Sequence, residues 1–310
     1  MNDAASGVTV GRAWTVIANP AAGRSRRRGV ERLRSIDTEV TRLHAAGVDL
    51  IVERSSSLDD ARERATKAAL AGRDLVAAGG DGTVGAIAGI AADHQRRLAI
   101  VPIGSGNDFA RVLGIDRKDP VAALRLLDDE HGRDRTIDLA QANGHWYNCV
   151  TCSGFDAEAN RWANSVTRLS GTPLYIAAVL RTLAVYRPRR FAITVDGTRH
   201  EKTAWMVSVG NTTTYAGGMQ IVPDAQLDDG LLDVCLVGNV SKIKFITSFP
   251  KVFSGRHGEA TGVEFLRGAQ VTVEAIDGSD GELWADGERV DSLPATMVAI
   301  ANALVVRVPH

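Results

Sequence analysis

The chain has 310 residues, more than one compact core usually holds, so two domains are expected. It is 45% hydrophobic and 24% charged, the composition of an ordinary globular protein. Its formal net charge of −1 excludes a polycationic field for nucleic acid and leaves any membrane attraction to a local patch.

The three cysteines, Cys149, Cys152 and Cys235, are an odd, sparse set that suits a reducing cytoplasm rather than a disulfide framework. Cys149 and Cys152 fall in a β-like run, where residues three apart face opposite ways; core packing is expected, not a shared metal. The N-terminus lacks a charged-then-apolar signal pattern. The longest apolar stretch, 173–186, is interrupted by Arg181 and is too short to span a bilayer. A cytoplasmic protein is expected, one that, if it handles lipid, visits the membrane from outside, peripherally at its inner surface.

In chain order, a polar start is followed by apolar runs at 13–18, 48–52, 74–78 and 98–102, alternating with helix-like segments at 28–46, 58–71, 84–92 and 120–127. Asp119 is the expected N-cap of the last, with Pro120 at its first position. Such alternation predicts a parallel α/β sheet with ligands at the carboxyl ends of its strands. From about residue 137 the texture becomes β-rich, with runs at 146–152, 191–195, 203–209, 232–237, 271–275, 283–285 and 304–308. Asp196-Gly197 and Asp286-Gly287 are hairpin signals. One helical interruption is expected at 174–186, before Pro188. The predicted fold is an α/β N-terminal domain over 10–137 and an antiparallel β-sandwich domain over 138–299, with 300–310 returning to the first.

Three polar, glycine-bearing segments follow the predicted parallel strands. Gly79-Gly80-Asp81-Gly82-Thr83 opens a helix, where backbone N–H groups can approach phosphate oxygens. Asp81 would repel bare phosphate and makes sense if it reaches a Mg²⁺ bridging phosphates; the alternative is a tight turn with Asp81 as a helix cap. Gly104-Ser105-Gly106-Asn107-Asp108-Phe109-Ala110-Arg111 offers a hydroxyl, an amide, a carboxylate and a guanidinium, and brings Asn107 and Asp108 to the same cleft. Asn19-Pro20-Ala21-Ala22-Gly23 ends the first strand, followed by Arg24, Arg26, Arg27 and Arg28.

These motifs, in this order, resemble the diacylglycerol and sphingosine lipid kinases, above all the bacterial soluble diacylglycerol kinases, over nearly the whole chain. Asn211, Gly217-Gly218, Pro223, the segment 228–233 and Asp286-Gly287-Glu288 resemble the second-domain segments of that family. The resemblance implies an ATP- and Mg²⁺-dependent kinase acting on a lipid hydroxyl, diacylglycerol first, and a nucleotide-binding domain like that of NAD kinases and phosphofructokinases. It implies nucleotide contacts at Asn19, Pro20, Ala21, Ala22, Gly23, Ser55, Gly79, Gly80, Asp81, Gly82, Thr83 and Ser105. It further implies a structural Mg²⁺ on Gln226, Asp229 and the Leu231 carbonyl, with Glu288 as catalytic base beside Asp81. Ser105 and Ser55 stand where threonine is common, and Gly85 where asparagine is common. Asp280-Gly281-Glu282 repeats the carboxylate pattern; Glu288 is preferred because it sits on a predicted hairpin.

The acceptor's tails need an apolar cavity, and the helix at 174–186, with Leu174, Tyr175, Ile176, Val179, Leu180, Leu183 and Tyr186, either lines its entrance or simply packs on the sandwich. Arg181, Arg187, Arg189 and Arg190 flank it, where transient contact with anionic lipid is expected. A kinase of another lipid alcohol, an NAD kinase-type enzyme and a non-catalytic nucleotide- or lipid-binding regulator stay open as alternatives. The sequence is compatible with a homodimer.

Overall fold

The structure, a computed structural model, describes residues 13–19, 26–166, 172–278 and 281–310; the side chains of 26–34 and 172–176 lie outside that description. The first domain is built on β1 (Ala13–Ala18), β2 (Asp49–Arg54), β3 (Asp74–Gly79) and β4 (Leu98–Pro102), all parallel, in spatial order β4-β3-β1-β2. β3 and β4 are apolar along their lengths because helices cover both faces, the pattern of a buried parallel sheet.

The helices are α1 (Arg26–Ala45), α2 (Leu58–Leu70), α3 (Asp81–Asp93), α4 (Asp108–Val112) and α5 (Pro120–Arg125). α1 buries Ile36, Val40 and Leu43, one stripe of a 3.6-residue period. Ser57 caps α2 by accepting the Asp60 amide, and Asp119 caps α5 by accepting those of Val121 and Ala122.

The second domain holds β5 (Gly132–Ala142), β6 (His145–Tyr147), β7 (Val150–Gly154), α6 (Phe155–Ser165), α7 (Thr172–Val185), β8 (Arg189–Val195), β9 (Thr198–Gly210), β10 (Leu232–Gly238) and α8 (Lys242–Ser248). Two short 3-10 turns, Phe249–Ser254 and Arg256–Glu259, precede β11 (Val263–Gly268), β12 (Gln270–Ala275), β13 (Glu282–Ala285), β14 (Glu288–Ser292) and β15 (Ala295–Pro309). Their pairing is antiparallel, and their inner faces enclose a core that includes Phe191, Ile193, Val207, Val234, Val273, Leu283 and Met297. Both hairpin signals are real turns: Asp196-Gly197 and Asp286-Gly287 have positive φ at both positions, the geometry that matches strand twist.

β15 links the two domains. Its first half pairs with β12, it runs antiparallel to β5 from Met297↔Ala142 to Pro309↔Gly132, and Val306 registers in parallel with Leu98 of β4. The buried Arg307 guanidinium fastens this end by donating to the carbonyls of Leu126, Asp128 and Gly132 and to Asp134.

Three expectations need correction. The helix at α7 is not the only one in the second domain, since α6 and α8 also interrupt the strands. The run 146–152 is not one strand; it breaks at Asn148-Cys149 between β6 and β7. β5 and β11 were not recognised, because Arg133, Asp134 and Arg135 in one and Glu264 and Arg267 in the other interrupt the apolar alternation. Cys149 and Cys152 are free, buried and in separate core clusters.

Candidate functional site

Three strand ends of the first domain meet at the start of α3. The Asn19 amide donates to Ala78 O (3.0 Å) and its side chain to Thr83 Oγ1 (3.3 Å), joining the first and second glycine-bearing segments. A methyl group on Gly104 would fall 2.5 Å from Gly80 Cα, so those two turns touch through backbone, and one on Gly79 would fall 2.5 Å from Thr83 Cβ. Gly80 occupies the N-cap of α3 with no side-chain cap, and a helix start of this kind suits an anionic group.

Asp81 does not cap its helix. Its two carboxylate oxygens accept the Asn107 and Asp108 amides, each at 2.7 Å, so it holds the 104–108 loop against α3. Asn107 is left-handed there (φ 52°), and its side chain donates to Gly104 O. Burial, and then the nearby Asp108, push the Asp81 carboxyl above its ordinary value.

Asp108 reaches the second domain. Its Oδ2 accepts the Gly217 amide at 2.6 Å, and its Oδ1 lies 3.4 Å from Arg111 Nε, whose guanidinium packs on Gly218. Ser105 is exposed at the loop's edge. Ser55 is buried, with its hydroxyl donating to Ala18 O at 3.3 Å. Pro20, Ala21, Ala22, Gly23 and Asp280 lie outside the described residues.

The β13–β14 hairpin meets the same seam. Asp286, at the first position of its turn, accepts the amides of Asn148 (2.7 Å), Cys149 (3.0 Å) and Val150 (3.1 Å), the groups left over by the break between β6 and β7. A methyl group on Gly85 of α3 would lie 3.9 Å from Asp286 Oδ2, so the turn lies against the beginning of that helix. Burial pushes the Asp286 carboxyl up to about 6 despite the three amides, and Asp81 adds to the rise. Sequence reasoning passed over Asp286; the signal was the Asp-Gly turn itself, which places an acidic side chain at a left-handed position.

Glu288 follows this turn and is exposed at the start of β14, whereas Glu282, at the far end of β13, accepts from Trp284 Nε1 (3.1 Å) and pairs with Arg289 (3.3 Å). Around the seam, the buried oxygens Asn107 Oδ1, Asp108 Oδ1, Asn148 Oδ1 and Asn211 Oδ1 lack a hydrogen-bond partner among the described residues. Oxygens are the hard donors that Mg²⁺ takes, and the neighbouring carboxylates of Asp81 and Asp108 are the charged ones at this seam.

The loop expected to hold a structural Mg²⁺ is fixed by Asp138, which accepts the Gly230 amide (2.7 Å) and the Asn302 amide (2.8 Å). Asp229 accepts the Leu231 amide with one oxygen and pairs with Arg267 through the other; Gln226 is exposed. The donors are oxygens, as Mg²⁺ requires, but a cation there meets a guanidinium already on Asp229.

A small apolar cavity of about 60 Å³ opens in the second domain, lined by Met206, Met219, Ile221, Phe245, Phe249 and Val252 among others. Asp156 stands at its wall and accepts the Tyr215 hydroxyl at 2.9 Å, and burial raises its carboxyl. No described α7 residue lines this cavity. Leu183 and Tyr186 are buried in the core, and Leu180 faces out; the side chains of Leu174, Tyr175 and Ile176 lie outside the described residues. Among the described residues, α8 and the turn after it form the cavity wall, while Leu183 and Tyr186 pack on the core.

Comparison with known proteins agrees with this architecture. Residues 13–142 match the diacylglycerol kinase catalytic domain, and residues 149–308 match the YegS C-terminal NAD kinase beta sandwich-like domain. A diacylglycerol kinase of Mycobacterium tuberculosis is 33% identical over 303 residues, covering 96% of this chain and 95% of that protein. A Pseudomonas aeruginosa protein described as "Probable lipid kinase YegS-like" is 30% identical over 268 residues, covering 85% and 86%. The crystal structure of a diacylglycerol kinase from Bacillus anthracis superposes with a TM-score of 0.72 at 22% identity, covering 97% of this chain and 98% of that one.

Proposed function

The chain is a lipid kinase of the diacylglycerol kinase family, and from that premise we propose that it transfers the γ-phosphate of ATP to the primary hydroxyl of diacylglycerol, giving phosphatidic acid. The observation that carries the reading is the Asp286 turn, bound to the 148–150 amides and lying against the helix whose uncapped start is made of the glycine segments.

In this reading the triphosphate lies on the amides of Gly79 to Thr83, with Asn19 to Gly23, Ser55, Ser105, Asn107 and Asp108 completing the nucleotide side. Asp81 and Asp108 would hold Mg²⁺, which supplies charge neutralisation on the transferring phosphoryl group when bound. Gln226, Asp229 and the Leu231 carbonyl would hold a second, structural Mg²⁺. Glu288 accepts the acceptor hydroxyl's proton. A carboxylate is far too weak a base to ionise an alcohol in the ground state, so the proton moves late, as the new P–O bond forms. Asp286 positions the hairpin that carries Glu288. The acyl chains enter at the apolar cavity beside Phe245, which has to widen to hold them, and the acceptor comes from a membrane that the protein touches transiently. Among the described residues no helix is long and apolar enough to cross a membrane.

The similarity to the P. aeruginosa protein favours a second reading, in which the acceptor is another lipid alcohol. Labelled ATP offered with a panel of dispersed diacylglycerol, sphingoid base and other lipid alcohols separates the two. Phosphatidate as the main labelled product supports the first; label on a different lipid replaces it with the second.

A further inference from the structure

We propose that α8 and the 3-10 turn after it form a docking surface for a bilayer of anionic phospholipid. The proposal deepens the lipid-kinase reading and rests on it. This stretch has two apolar faces. Inward, Phe245 and Val252 are buried and line the cavity, and the Phe245 ring lies 4.8 Å from that of Phe155 and 5.0 Å from that of Trp205. Outward, Ile243 is 76% exposed, Ile246 43% and Phe253 52%. Most single exposed apolar side chains mean nothing; three on one short roof over an apolar cavity form a patch.

The patch extends onto α7. Lys242 Nζ donates to Ala184 O at 2.9 Å, which joins the start of α8 to the end of α7, where Leu180 is 55% and Val185 64% exposed.

Charge selects the partner. Residues 239–258 contain no Asp or Glu and carry Lys242, Lys244, Lys251 and Arg256, in a chain whose net charge is −1; Arg181 and Arg187 add to them from the α7 side, whereas Arg189 lies over the Tyr186 ring and Arg190 pairs with Glu201 (3.5 Å). The nearest carboxylate in sequence, Glu259, pairs with Arg256 (2.8 Å) and Lys251 (3.8 Å). Apolar side chains among basic ones suit an interface of acyl chains and anionic headgroups, and each basic group contributes only near such a surface. A lipid entering the cavity from this face crosses a wall one helix thick.

Vesicle co-sedimentation tests the surface without turnover. Vesicles of phosphatidylcholine with phosphatidylglycerol should bind the wild type at least about tenfold more tightly than phosphatidylcholine alone, and added salt should weaken binding. Ile243→Asp and Phe253→Asp should each lower affinity about tenfold, and Lys251→Glu several-fold. All three should keep wild-type melting and, within about twofold, wild-type turnover of a water-soluble short-chain diacylglycerol. Equal binding to both vesicle types, or wild-type binding by Ile243→Asp and Phe253→Asp, overturns the proposal. So does a loss of self-association in those variants with vesicle binding unchanged, which would assign the face to a second copy of the chain. If the wild type does not phosphorylate the short-chain lipid, the acceptor reading fails, while sedimentation still decides the surface.

Discussion

Asp108 accepts the Gly217 amide at 2.6 Å, and through it the loop that Asp81 holds against α3 is tied to the β-rich domain. The bond runs between a buried carboxylate and a backbone amide, so removing the acceptor leaves a donor without a partner. Asp108→Ala should destabilise the protein by about 2–3 kcal/mol in urea denaturation. An unchanged midpoint would mean that the domains do not depend on this contact.

The close approach of Gly80 and Gly104 makes a paired test. Gly104→Ala forces a Cβ to within 2.5 Å of the Gly80 Cα, so one turn has to move, at a cost of about 1–3 kcal/mol. Gly82→Ala meets nothing within 4 Å and adds a better helix former to the first turn of α3, so its melting temperature should match or exceed that of the wild type. Equal melting of the two variants would contradict the backbone contact.

Asp286 predicts a pH dependence of stability. An acid whose carboxyl is raised from 3.8 to about 6 on folding binds its proton more tightly in the folded state. Its stabilising contribution is complete below about pH 4 and is lost as pH rises through about 6. The size is about 3 kcal/mol, a two-unit shift at 1.36 kcal/mol per unit. Denaturation of wild type and Asp286→Asn between pH 4 and 7 should show wild type losing stability relative to the variant as pH rises. Parallel profiles would contradict the burial of that carboxyl.

Arg267 predicts how the loop at 226–231 answers to metal. The guanidinium pairs with Asp229 and lies 3.4 Å from Asp233, so a cation competes with it for Asp229. Millimolar Mg²⁺ should raise the melting temperature of Arg267→Gln more than that of wild type. An equal rise would show that metal and arginine do not share Asp229.

Much of this was legible in the sequence because local chemistry and tertiary position agree. Strands β1, β3 and β4 read as apolar runs because they are covered on both faces, and Asp119 and the two Asp-Gly turns need only their neighbours to fix their geometry. What was missed depends on distant partners. The break at Asn148-Cys149 is stabilised by Asp286, 136 to 138 residues away, and nothing near 148 announces it. The charged start of β5 is strand because β15 lies alongside it. The cavity wall went to α8, whose short sequence mixes lysines and apolar residues, rather than to the more uniformly apolar α7.

The central claim is that Glu288 receives the acceptor's proton, and single-turnover transfer from labelled ATP to short-chain diacylglycerol tests it most directly. Glu288→Gln should lose kcat by about a hundredfold or more with little change in the KM for ATP, and Glu282→Gln should stay near wild type. An active Glu288→Gln beside an inactive Glu282→Gln would contradict it.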